Sequence, residues 1–146
     1  MIGPQWDERF MALAEHVGSW SKDRGRSVGC VIVGPDDSIR AIGFNGFPRG
    51  IDDDVEERHS RPAKYLWTEH AERNAIYVAA RNGISLVGCR MYLPWFPCVD
   101  CARAIIQVGL EEIVGKQPEL SDSRWGSDFK VSLELLEEAG VKIRFI

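Results

Sequence analysis

HAERNAIYVAARNGISLVGCRMYLPWFPCVDC, residues 70–101, holds the pattern on which the rest of the reading turns. It opens on His70-Ala71-Glu72 and closes on Pro97-Cys98-Val99-Asp100-Cys101. Between them, Ala71, Ala75, Ile76, Val78, Ala79 and Ala80 supply the apolar bulk of a helix predicted over 69–82. Thr68 is placed to cap its start, and Gly83 to end it. A strand predicted over 89–93 stops at Pro94. A second helix starts at Pro97 or Cys98, runs to Val108 and is closed by Gly109. Each short motif therefore opens a helix, and a strand lies between the two.

Those two starts carry complementary chemistry. Cys98 and Cys101 are three residues apart at a helix start, so both sulfurs can point at one ion. The free N–H groups and positive dipole of a first turn favour thiolate over thiol. His70 adds an imidazole, giving a set suited to zinc. Three protein ligands leave a fourth tetrahedral position for water, whose pKa zinc lowers from ~15.7 towards ~7. Glu72 is then the proton shuttle. In mid-helix, residues two apart point different ways, so His70 and Glu72 share the site only if the first turn itself lies against the ion. A lone C-x-x-C is often structural zinc or a redox pair, and a lone H-x-E is close to noise. Their combination indicates a catalytic zinc centre. The competing reading is a non-catalytic zinc-binding module. It needs a fourth ligand from Cys30, Cys89, His16 or His59, none of which has motif spacing.

Working outward, 146 residues suit a single domain, 1–146, large enough to bury a core. Hydrophobic content of 45% and charged content of 27% are ordinary for a globular protein. No apolar run approaches the ~20 residues of a membrane span. The first ten residues carry Asp7 and Glu8 and lack the apolar centre of a signal peptide, so a cytoplasmic location is expected. In such a compartment the four cysteines are thiols or metal ligands. Cys30 and Cys89, in predicted strands, read as buried, inert thiols. A net charge of -4 with no long basic run argues against a nucleic-acid partner. A small nucleotide needs only a few local cations.

The remaining segments complete the pattern. Apolar Trp6, Phe10, Leu13, Ala14 and Val17 predict an amphipathic helix over 5–20. His16 within it reads as a surface or packing residue. Residues 21–27 form a polar, basic loop in which an arginine can face an anionic ligand. Strands over 28–33 and 39–44 flank the turn formers of 34–38, a hairpin. The irregular connection over 45–68 has the length of a lid or binding loop. His59 beside Asp52, Asp53 and Asp54 reads as a solvated charged loop or as a second metal site. A strand over 112–115, a polar loop over 118–126, a helix over 127–139 and a strand over 141–146 follow. This alternation predicts an α/β fold with a five-stranded mixed sheet and helices on both faces.

H-x-E followed by P-C-x-x-C is the signature of zinc nucleobase deaminases. The chain resembles the cytidine/deoxycytidylate deaminase superfamily over roughly residues 28–146. Within it the chain is most similar to the deoxycytidylate (dCMP) deaminase branch. The residues that carry this are Gly43-Phe44-Asn45-Gly46-Phe47-Pro48-Arg49-Gly50, His70-Ala71-Glu72-Arg73-Asn74-Ala75-Ile76 and Phe96-Pro97-Cys98-Val99-Asp100-Cys101-Ala102. Arg73 and the aromatic Pro94-Trp95-Phe96 depart from the branch pattern. The resemblance implies a cytidine-deaminase-like three-layer α/β/α sandwich. It implies zinc on His70, Cys98 and Cys101, proton transfer by Glu72, and a sugar contact from Asn45. On chemistry alone Asn45 can equally satisfy local backbone groups. Arg49 and Arg26 are the candidates for a phosphate, because a fork of donors suits a dianion. Trp95, Phe96 and Trp125 can stack on a base, or belong to the core or a subunit contact. The implied reaction converts dCMP and water to dUMP and ammonia. Another small substrate (cytidine or another nucleoside, guanine or a modified base) is the alternative. Family members generally assemble, so a homo-oligomer, hexamer or dimer, is expected.

Overall fold

A computed structural model describes residues 3–146. Its sheet has five strands in the order β2-β1-β3-β4-β5: β1 (Gly29–Val33), β2 (Ile39–Phe44), β3 (Arg90–Leu93), β4 (Glu112–Gly115) and β5 (Lys142–Phe145). β1 pairs antiparallel with both β2 and β3, and β3, β4 and β5 run parallel. The sheet is therefore mixed, as expected. The parallel half is where helices intervene between strands in the sequence, since a parallel pair needs a crossover.

Alternation along the strands sends side chains to two faces. Val31, Val33, Tyr92 and Val114 meet Phe10 and Ala14 of helix α1 (Pro4–Gly18). Cys30, Ile32, Met91, Leu93 and Ile113 point the other way, into a larger core. That core is closed by α3 (Ala71–Arg81), α4 (Val99–Gln107) and α5 (Gly126–Glu138). One helix below and three above make the α/β/α sandwich. Among the described residues, no helix is long and apolar enough to cross a membrane.

Two segments differ from the sequence reading. The connection over 45–68 is not irregular throughout. It holds a 3-10 turn (Glu56–His59) and a four-residue helix, α2 (Lys64–Trp67), too short to leave a periodic signal. Thr68 does not cap α3. The N-cap is His70, whose side chain makes no capping bond. Cys30 and Cys89 are free and buried, as the strand context predicts.

Close packing seats α3. Its buried face is Ala71, Ala75 and Ala79, at i, i+4 and i+8. Against it lies Gly43 of β2, where a Cβ would sit 2.4 Å from the Ala71 carbonyl oxygen and 2.5 Å from the Ala75 nitrogen. Small residues on both sides let backbone meet backbone. The Cys30 thiol adds a donor to the Ala71 carbonyl at 3.4 Å.

A buried polar network ties α1 to the sheet. The Tyr92 hydroxyl donates to Asp7 Oδ1 at 2.6 Å, and Arg144 Nη1 donates to Asp7 Oδ2 at 2.8 Å. Arg144 also pairs with Glu112 at 3.1 Å. The Arg144 hydrogen bond leads in holding the Asp7 carboxyl below its ordinary value, against its burial. Burial first, then the bond to Asp7, pushes the Tyr92 hydroxyl up to about 12.

Two predictions follow from this packing. Gly43→Ala must push α3 off β2, and its unfolding free energy in urea should fall by about 1–3 kcal/mol. Asp7→Asn should cost about 1–3 kcal/mol at pH 7, because it weakens a buried, charge-assisted network. With a folded pKa below the unfolded one near ~4, Asp7 stabilises above that pH, and the contribution fades as pH falls through the folded value. Urea titrations between pH 7 and 3 should show a shallower acid decline for Asp7→Asn than for wild type.

Candidate metal centre and cleft

The two helix starts meet. His70 is the N-cap of α3 and Cys98 the N-cap of α4, and both hold extended backbone. Cys101 lies in the first turn of α4. The Cys98 and Cys101 sulfurs stand 3.3 and 3.4 Å from His70 Nδ1. Ligand atoms of all three lie within 4.8 Å of one another. Zinc–sulfur and zinc–nitrogen bonds of ~2.3 and ~2.1 Å at a tetrahedral angle put S and N ~3.6 Å apart. The donor set therefore has the span to hold a metal ion, with a small expansion. Among the described residues no fourth His, Cys, Asp or Glu joins this set.

Electrostatics in the trio are coupled. A hydrogen bond from the Cys101 thiol, with His70 assisting, brings the Cys98 thiol down to about 4 despite its burial. The same contact, with burial, pushes the Cys101 thiol up. The bond to Cys98 raises His70 above its ordinary value.

Glu72 is the second residue of α3 and is 4% exposed. Burial is the main cause of its raised pKa, opposed by the nearby His70. The first turn of α3 does lie against the trio, so His70 and Glu72 face the same space. Arg73 bonds Glu69 at 2.6 Å and reaches Asp100 at 3.5 Å, linking the first turns of α3 and α4.

His70, Glu72 and Cys98 line a cleft of about 460 Å³. Trp95 forms part of its wall, with the Arg26 guanidinium flat over its ring at 3.7 Å. Trp125 lines it too. Asn45, also in the wall, uses its amide locally. Its Oδ1 accepts from the Val28 N–H and its Nδ2 donates to the Arg26 carbonyl, both at 2.8 Å. One amide hydrogen is left over.

Two candidates lie elsewhere. Phe96 is 3% exposed and turned into the core, edge-on to Phe129 at 5.9 Å, so it forms no part of the cleft wall. Trp95 also packs edge-on to Phe129, at 5.5 Å, but is only partly buried and keeps one side on the cleft. Arg49 does not line the cleft either. It borders a separate hollow of about 300 Å³ alongside Phe47 and Lys22. His59 does not join the Asp52, Asp53 and Asp54 carboxylates around one point. Its ring stacks on Phe47 at 4.7 Å and its Nε2 donates to the Asp53 carbonyl at 2.6 Å. His16 stays on α1, edge-on to Trp20.

Sequence reasoning missed Arg61, Lys64 and Arg124, which bring further positive charge to the cleft. Arg61 and Arg124 sit in polar stretches with no periodicity or motif. Only the folding of distant loops onto one rim brings them together.

Residues 4–116 match the family model for the cytidine and deoxycytidylate deaminase zinc-binding region. An uncharacterized deaminase in the luxG 3′ region of Aliivibrio fischeri is 42% identical over 143 residues, covering 97% of this chain and 94% of that protein. Human deoxycytidylate deaminase is 38% identical over 146 residues, covering 96% of this chain and 79% of that protein. The crystal structure of dCMP deaminase from the cyanophage S-TIM5, in complex with dCMP and dUMP, superposes with a TM-score of 0.82 at 25% identity over the whole of both chains. On its fold and on the extent of these matches, the chain belongs to the cytidine and deoxycytidylate deaminase family.

Proposed function

We propose that this protein is a zinc-dependent hydrolytic deaminase that converts dCMP and water to dUMP and ammonia. The observation that carries this reading is the buried Glu72 carboxyl beside the His70, Cys98 and Cys101 donors, in a cleft that cations line. Relatives named as deoxycytidylate deaminases, and the neighbouring structure holding dCMP and dUMP, support the choice of substrate.

His70, Cys98 and Cys101 would hold the zinc. Bound zinc supplies Lewis acidity, which brings the pKa of water from ~15.7 towards ~7. Glu72 handles the protons. It takes one from the attacking water and gives it to N3 of the cytosine ring. It then carries a proton to the amine that leaves C4. Burial suits it to the task, since it raises the carboxyl's affinity for a proton above the ordinary value. Arg73 keeps the first turns of α3 and α4 in register. Trp95 holds the Arg26 guanidinium over its ring within the cleft, and the spare amide hydrogen of Asn45 is available to the sugar. The phosphate falls to Arg26, Arg61 and Arg124. Arg49, outside the cleft, has no part in this scheme.

Glu72→Gln should retain its zinc by metal analysis while deamination falls about 10²–10⁴-fold. An unchanged rate would remove Glu72 from the proton pathway. A panel of dCMP, dCTP, cytidine, guanine and adenine derivatives, followed by ammonia release, should show dCMP as the preferred substrate. Preference for an unphosphorylated compound would move the reading to the nucleoside or base alternative.

A further inference from the structure

We propose that Asp23, paired with Lys64, is the positioning residue that sets discrimination between phosphorylated and unphosphorylated substrates, and that the space beside Gly25, which a side chain would crowd, is its anion cradle. This deepens the dCMP reading and rests on it.

Asp23 is the hub of one lip of the cleft. Its Oδ1 accepts from the Gly25 N–H at 2.8 Å, from the Arg26 N–H at 3.1 Å and from Lys64 Nζ at 3.0 Å. The two side chains are 5% and 11% exposed. Burying such a pair costs desolvation that its attraction scarcely repays, so its value for stability alone is small. Its geometric effect is definite. It folds residues 23–26 into a tight turn and fastens that turn to α2. Further anchors hold the turn on both sides. The Asp23 N–H donates to Ser21 Oγ at 3.2 Å, and that hydroxyl donates to the Asn45 carbonyl at 2.7 Å. Arg26, the next residue but one after the bend's Arg24, is thereby aimed over Trp95.

The cradle is visible at Gly25. A Cβ there would stand 3.2 Å from Lys64 Nζ and 3.4 Å from Arg61 Nη2, with Asp23 Oδ1 at 3.3 Å. Two cations from the α2 segment thus close on one point beside the turn. Lys64 has three N–H donors. Asp23 is its only side-chain hydrogen-bond partner among the described residues. Arg61 spends its Nε on the Tyr65 hydroxyl at 2.7 Å, which leaves Nη2 directed at the same point. A single carboxylate faces two cations there, so the spot carries surplus positive charge. The opposite lip is built alike. Asp122 Oδ1 accepts from the Arg124 and Trp125 N–H groups, both at 2.8 Å, and so folds the loop that carries Arg124 to the rim. A phosphate monoester dianion matches several charged donors converging on one small space.

The test compares kcat/KM for dCMP and for deoxycytidine in wild type, Asp23→Asn and Gly25→Ala, alongside thermal unfolding. Gly25 is exposed and its backbone does not lie in the left-handed region, so Gly25→Ala should fold. In both variants the dCMP-to-deoxycytidine ratio of kcat/KM should fall at least about tenfold, through KM for dCMP. Competitive inhibition by inorganic phosphate should weaken in step. Equal losses on both substrates, or an unchanged ratio in Gly25→Ala, would overturn the proposal while leaving dCMP deamination standing. If Asp23→Asn does not fold, Gly25→Ala decides alone. A wild-type enzyme that turns over deoxycytidine as well as dCMP would overturn the dCMP reading, and the cradle with it.

Discussion

Two helix starts meet above one sheet, and the site exists because of that meeting. His70 and Cys98 are both N-caps, and Cys101 and Glu72 follow within a turn. The contact of 3.3–3.4 Å between sulfur and imidazole is set by strand order. α3 is seated on β2 through Gly43, and α4 follows directly from β3, which pairs with β1. Both helices turn their positive ends to the same spot, which favours thiolate over thiol there, in the same direction as the lowered Cys98 pKa. Neither N-cap side chain makes a capping bond, so each is left to face its partner.

Burial gives the site its second property. Cys101 is fully enclosed and Glu72 nearly so. A carboxyl removed from water binds its proton more tightly, and a thiol does likewise. The family's zinc-binding chemistry fits this arrangement. The charges it needs on the sulfurs are supported by His70 on one side and by Arg73 on the other, and Arg73 is itself braced by Glu69 and Asp100.

Much of this was legible in the residues. The strands announced themselves through apolar runs such as Cys30-Val31-Ile32-Val33, buried on both faces at the centre of the sheet. The donor set was legible because motif spacing is a local property, and helix geometry converts it directly into direction. The cleft wall was not. Trp95 and Phe96 are adjacent and chemically alike, and both pack on Phe129, yet only Trp95 also lines the cleft. Pattern alone cannot orient an irregular exit between Pro94 and Pro97. Arg49 and Arg61 were equally good candidates by type. Only the path of the 45–68 connection, with its four-residue helix, decides that Arg61 reaches the cleft and Arg49 does not.

The arginine-lined rim also bears on how the molecule meets charged solutes. The chain as a whole is acidic, at -4, while Arg26, Arg61, Lys64 and Arg124 gather at one opening. At physiological salt the field of an exposed charge decays over ~8 Å. A solute small enough to enter meets those four cations against Asp23, Asp122 and Glu72 on the same lining. Its capture should therefore slow as ionic strength rises.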